Sequence, residues 1–365
     1  MFGISNLLLK YQFSRRQEKS CPGLNKKRIL FVTYDAIGDM LLTLPIFSAM
    51  KQSYPDYDIE VLCHQRNVQV LEKYPFVDRI WCWNINAKLF RNRYDQKKRQ
   101  ELYDRPFSEV IFIAEKCNFR TLFRLQQFNT HRLLSLPYYS AGKNNKLVTK
   151  EVYDSLFDGL VGKSKDVIPH FALRMFSSIS YFCLNDSENI DFYPYLPDCN
   201  VKYKGDKSAC SVLFNPAGTQ PGNTLSHDKS IWVVNTLTRL KCNVFVFDLP
   251  KQRDLLEGGG IESKVTFIQS SHIGEGAKVL QQMDFVVTTD TAIGHLSSAF
   301  KKPTLILRED QLWRAMCDPL VNTTKVLVSE VAEDINTVPN AEITAFIEQL
   351  LLDLNENHDV KSKLV

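Results

Sequence analysis

The feature that most limits this chain is an alternation. Short runs rich in β-branched and aromatic residues, at 28–33, 58–63, 79–83 and 109–113, are separated by stretches with helical periodicity. A second series follows at 211–214, 243–247, 265–268, 285–288 and 304–307, with helices expected at 232–240, 274–283 and 292–300. Parallel strands need a crossover of a dozen or more residues to bring the chain back to the same edge, and a helix is the usual crossover. Two such series predict an α/β chain of two Rossmann-like halves with helices on both faces of each sheet. The length of 365 residues agrees, because a single core stops growing well below it.

The expected organisation is a basic leader at 1–27, a first half at 28–192, a linker at 193–206, a second half at 207–340, and a C-terminal helix and tail at 341–365. Pro194, Pro197 and Gly205 mark the linker. The final helix, expected at 341–354, is placed back across the first half. No internal sequence repeat is visible.

Composition removes several function classes. A formal charge of +4 is too small to mark a nucleic-acid binder by itself, and neither an RGG-like tail nor zinc-finger spacing supports one. The nine cysteines are scattered singly, some within apolar runs as at Cys63 and Cys82, and no CxxC pair offers a metal or redox site. They read as reduced core residues, so a cytoplasmic location is expected. No apolar stretch is long enough to cross a bilayer. In the leader, Phe2, Ile4, Leu7, Leu8, Leu9, Tyr11 and Phe13 precede Arg15, Arg16, Lys19, Lys26, Lys27 and Arg28. Two readings stand there: a terminus packed on the body, or a cationic, amphipathic contact with a membrane surface.

In open parallel sheets ligands bind beyond the carboxyl ends of the strands. The first such turn reads Tyr34-Asp35-Ala36-Ile37-Gly38-Asp39-Met40. Gly38 is expected to allow a tight backbone, and Asp39 stands where a helix through Leu41, Leu42, Leu44 and Ile46 begins. Asp39 is either a cap for that helix or a general base held on a rigid element. Asp35 is a rival base, and two carboxylates facing one site would raise the pKa of one of them.

In the second half, Thr288-Thr289-Asp290-Thr291-Ala292-Ile293-Gly294-His295-Leu296 passes from strand to helix. A helix start aims free N–H groups and a positive dipole end at whatever lies above it, which suits a diphosphate. His295 reads as a core residue. The turn Asn215-Pro216-Ala217-Gly218-Thr219 lets backbone approach a ligand, and Lys229 follows as a phosphate-neutralising candidate. Asp56-Tyr57-Asp58, a possible metal-diphosphate pattern, precedes a strand and reads as a turn. Arg66, Lys116 and Arg120 lie just after strands and would suit an anionic acceptor, while the basic and aromatic run at 88–105 reads as a membrane or acceptor patch. A nicotinamide enzyme is disfavoured, because no G-x-G-x-x-G follows the first strand.

Ala36-Ile37-Gly38-Asp39-Met40-Leu41-Leu42-Thr43-Leu44-Pro45, the later Tyr74-Pro75-Phe76-Val77-Asp78-Arg79-Ile80, and 284–296 together resemble the glycosyltransferase family 9 heptosyltransferases, with Asn215 to Gly218 a weaker third match. The resemblance implies a GT-B fold, two Rossmann-like domains with a cleft between them. It further implies an inverting, metal-independent transfer of heptose from ADP-heptose to a lipopolysaccharide inner-core acceptor, an anionic glycolipid at the inner-membrane surface, with no cofactor. Asp39 falls on the family's catalytic aspartate; Asp290, Thr291, Ala292 and Ile293 fall on its donor-binding turn, joined by Gly218 and Thr219. Ala292 replaces the usual glycine, and the phosphate-binding lysine aligns with either Asn223 or Lys229. Another nucleotide-sugar or acceptor, or a non-catalytic relative that only binds one, remains as the alternative.

Overall fold

A computed structural model describes residues 13, 27–33, 36–83, 94–113, 116–137, 140–141, 150–162, 170, 173, 209–218, 220–310, 317–319 and 323–362. The chain forms two compact units, Met1–Tyr195 and Leu196–Val365. The expected linker at 193–206 lies outside the described residues, as does the leader apart from Phe13 and Lys27.

In the first unit, β1 (Arg28–Val32), β2 (Asp58–Cys63), β3 (Arg79–Cys82), β4 (Phe107–Phe112), β6 (Thr130–Ser135) and β8 (Gly159–Leu160) make a six-stranded sheet in the order β3-β2-β1-β4-β6-β8. Every pairing in it is parallel. A small second sheet pairs β5 (Lys116–Cys117) with β7 (Ser140–Ala141). The helices are α1 (Ile37–Ser53), α2 (Gln65–Leu71), α3 (Tyr94–Asp104), α4 (Phe119–Leu125) and α5 (Lys150–Asp154). Four of the five residues of β1 are buried, as expected of a central strand covered on both faces. One side is closed by Leu30, Val32, Leu62, Val110, Phe112, Phe128 and Tyr153, and Phe13 packs against this cluster.

The second unit repeats the plan. Strands β9 (Ser211–Asn215), β10 (Asn243–Phe247), β11 (Val265–Ile268), β12 (Phe285–Thr289), β13 (Thr304–Arg308) and β14 (Thr324–Val328) form a parallel sheet ordered β11-β10-β9-β12-β13-β14. Its helices are α6 (His227–Arg239), α7 (Pro250–Asp254), α8 (Ile273–Gln282), α9 (Ala292–Ala299) and α10 (Asn340–Ser362). In both sheets the strand order reverses beside the first strand of the unit, β1 or β9, and such a switch point opens a crevice at the carboxyl edge.

The apolar side chains Ile343, Ile347 and Leu350 of α10 enter the core of the second unit beside Leu237, Leu305 and Val338.

Candidate functional site

Asp39 lies in the first turn of α1, at the carboxyl edge of the central strand β1. It is the third helical residue rather than the cap. Its Oδ2 accepts the Ala36 N–H at 2.8 Å, the reciprocal half of a capping box, while alanine at the cap has no side-chain acceptor to complete the other half. The carboxylate is half-buried. Gly38, expected to ease the turn, is a buried residue of the helix itself. Asp35, the rival base, lies outside the described residues.

What holds this helix explains the rest of the first signature. Tyr74 donates its hydroxyl to Leu44 O at 2.7 Å, and its ring meets Phe47 edge to face. Asp78 accepts Ile59 N at 2.7 Å and the Lys51 ammonium at 2.9 Å. Tyr74 and Asp78 thus clamp α1 and β2, and do so away from Asp39. Asp56 and Tyr57 form the turn before β2, and Asp58 opens that strand within 3.7 Å of Arg28, so the Asp-x-Asp pattern is structural.

The strand order brings the acceptor candidates to one edge. Arg66 is in α2, which follows β2; Lys116 opens β5 and Arg120 lies in α4, both following β4; β2 and β4 flank β1. Arg66 and Arg120 are exposed. The basic run at 88–105 is partly neutralised where it is described. Arg105 forks onto the buried Glu60, with its Nη2 at 2.7 Å from Oε1, and Arg99 lies over the Trp83 ring at 6.0 Å. Lys97 and Lys98 remain exposed on α3.

In the second unit, the turns after β9, β10 and β12 are bonded into one surface. Thr291 is the cap residue of α9, yet its hydroxyl makes no capping bond. It is engaged instead by Asn215 Nδ2 at 3.2 Å and by Thr288 Oγ1 at 3.2 Å. The first amides of α9, at Ala292 and Ile293, are thereby left to other acceptors, which is the arrangement that receives an anion. Gln252 on α7 donates to Asn215 Oδ1 and holds this asparagine in place. Gly294 lets α9 sit close to β13, since a Cβ there would come within 2.8 Å of Ile306 Cδ1.

The two positions expected for the phosphate-binding lysine, Asn223 and Lys229, both bond within the second unit. Asn223 is fully buried and donates to the Asp290 carbonyl, so it straps the β9 turn to the β12 turn. Lys229 points elsewhere. Its ammonium donates to Val338 O at 2.6 Å and to Asn340 Oδ1, fixing the start of α10, and burial pulls its pKa down. The lysine on the β9 turn is Lys251, which the sequence pattern did not single out. Its ammonium donates to Gly218 O at 2.7 Å and to Thr224 Oγ1 at 2.9 Å. Thr219 lies outside the described residues.

Gly218 has no room for a side chain, because a Cβ would lie 2.1 Å from Asn223 O. Asn223 Oδ1 and Gln252 Oε1 are buried acceptors without a hydrogen-bond partner among the described residues, and a hydroxyl-bearing ligand would satisfy such groups. Beyond β13, Asp318 lies 3.3 Å from Arg308 Nε. Burial and the charge of Asp290 raise its pKa, against the pull of Arg308. His295 is buried in α9, as expected. No helix among the described residues is long and apolar enough to cross a membrane.

Comparison with known proteins places this geometry. No family model matches the chain. Over 347 residues, 86% of this chain and 95% of the relative, it is 21% identical to lipopolysaccharide heptosyltransferase 3 of Escherichia coli strain K12. Among solved structures, a glycosyl transferase family 9 protein from Veillonella parvula superposes with a TM-score of 0.69 at 15% identity, covering 92% of this chain and 100% of that one. E. coli heptosyltransferase WaaC with ADP gives 0.64 at 15% identity, covering 88% and 99%. E. coli ADP-heptose lps heptosyltransferase II gives 0.63 at 14% identity, covering 89% and 99%. In the order of its two signatures, in its similarity along most of its length to a lipopolysaccharide heptosyltransferase, and in its GT-B fold, the chain is similar to the heptosyltransferases of glycosyltransferase family 9.

Proposed function

We propose that the chain transfers heptose from ADP-heptose to an inner-core lipopolysaccharide acceptor, with inversion at the anomeric carbon and without a bound metal. The observation that carries the reading is the helix start at Thr291, whose hydroxyl is engaged by Asn215 and Thr288 and gives α9 no side-chain cap, which leaves the amides of its first turn, at Ala292 and Ile293, to a ligand. Those amides and the positive end of α9 would take up charge as the bond from the anomeric carbon to the diphosphate breaks. Asp39 would accept the proton of the acceptor hydroxyl as its oxygen forms the new bond to that carbon. One displacement inverts the centre. The bond from Ala36 N–H to Asp39 fixes the carboxylate on a rigid helix, so capping and catalysis use the same side chain. Arg66, Lys116 and Arg120 would favour an anionic acceptor. ADP and ADP-heptose occur with structural neighbours of this chain, and they supply the choice of donor.

A thermal-shift panel of nucleotide-sugars tests the donor. ADP-sugars should raise the melting temperature with or without EDTA, because a ligand that binds only the folded chain stabilises it. Stabilisation that requires a divalent cation, or that comes from another nucleotide alone, would overturn the proposed donor site.

A further inference from the structure

We infer that Lys251 is the cation that meets the donor's diphosphate, an assignment that rests on the reading of the β9 and β12 turns as the donor site. Lys251 stands on α7, the short helix entered from β10, and its ammonium holds the β9 turn at both ends through Gly218 O and Thr224 Oγ1. That turn is bonded to the start of α9 through Asn223 to the Asp290 carbonyl and through Asn215 to the Thr291 hydroxyl. The next residue, Gln252, is 2% exposed and fixes Asn215. Helix α7 therefore grips the candidate phosphate surface with two successive side chains.

An ammonium has three N–H groups, and two of those on Lys251 are spent on neutral oxygens. Its positive charge is not cancelled, since it pairs with no carboxylate among the described residues. The competing cations are committed: Lys229 to Val338 O and Asn340, Arg308 to Asp318. A diphosphate brings negative charge to this surface, and Lys251 is exposed there.

Calorimetric titration of the full chain with ADP, AMP and adenosine tests the assignment. Lys251→Met should weaken ADP binding by about ten- to a hundredfold, AMP binding less, and adenosine binding not at all. Lys251→Arg should recover most of the loss, and Lys229→Ala should leave ADP affinity unchanged. ADP binding by Lys251→Met equal to wild type would overturn the inference. Equal losses for ADP, AMP and adenosine would overturn it too, because they would mark Lys251 as a prop for the turn. A wild-type chain that binds no nucleoside diphosphate would remove the donor reading and this inference with it. If wild type prefers UDP or GDP, the adenine donor fails, and the same series with that nucleotide decides Lys251.

Discussion

Asp39 has one function in the structure and a second in the proposed mechanism. Its carboxylate accepts the Ala36 amide, and the proposed mechanism asks the same group to take a proton. Asparagine keeps the shape and an acceptor for Ala36 while losing the basicity. Asp39→Asn should therefore fold normally and bind the sugar donor as wild type, with turnover lower by roughly two to four orders of magnitude. Asp290→Asn should differ, weakening binding of the sugar donor as well. Steady-state kinetics beside calorimetry separate the two, and full turnover by Asp39→Asn would leave that residue as a helix support only. Lys229 belongs to the same scale but to another role. Lys229→Ala strands Val338 O and Asn340, so it should cost about 1–3 kcal/mol in denaturant unfolding. A loss of nucleotide affinity without loss of stability would return Lys229 to the phosphate.

At the scale of elements, the turns matter more than the strands they follow. β12, the Asp290 turn and α9 form one piece, tied to β9 at the far end by Asp284, which accepts Ser211 N at 2.7 Å. Asp318 gives this region a pH signature. Because its folded pKa stands above the ordinary 3.8, the folded state keeps a proton that the unfolded chain has already lost. Its contribution to stability should thus be greatest below 3.8 and fall as pH rises from there through the folded pKa. The stability of wild type minus that of Asp318→Asn, followed from acid to neutral pH, should decline and then level. A difference that grows with pH over that window would contradict the assignment.

The elements also show what a linear reading can reach. β2, β10 and β11, as DIEVLC, NVFVF and VTFI, are rich in β-branched and other apolar residues, and their limits agree with the pattern. β6 and β14 carry polar and charged residues, as THRLLS and TKVLV, and their strand character comes from pairing with β4 and β13 rather than from their own composition. The positions of Asp39 and the Asp290 turn at the carboxyl edges of their sheets were legible because each follows its strand directly. Lys251 was not, since it lies on another crossover and meets Gly218 only because β10 neighbours β9 in the sheet. The bonding of Lys229 was hidden for the same reason: position along the chain says nothing of the pull exerted by Val338 and Asn340 at the start of α10.

At the scale of the whole molecule, each unit presents its candidate chemistry at the carboxyl edge of a parallel sheet. Asp39 and the flanking cations belong to the first, and the anion-receiving helix start and Lys251 to the second. This division predicts separable defects: changes in the first unit should alter turnover and acceptor use, and changes in the second should alter nucleotide binding. The most direct test of the account is a transfer assay in which the purified chain, ADP-heptose and a heptose-deficient lipopolysaccharide are incubated with EDTA and the acceptor is weighed by mass spectrometry. The account predicts that the acceptor gains one heptosyl residue as ADP is released, and that Asp39→Asn abolishes nearly all of the gain. An acceptor left unchanged by wild-type enzyme that demonstrably binds ADP-heptose, or a gain undiminished in Asp39→Asn, would contradict it.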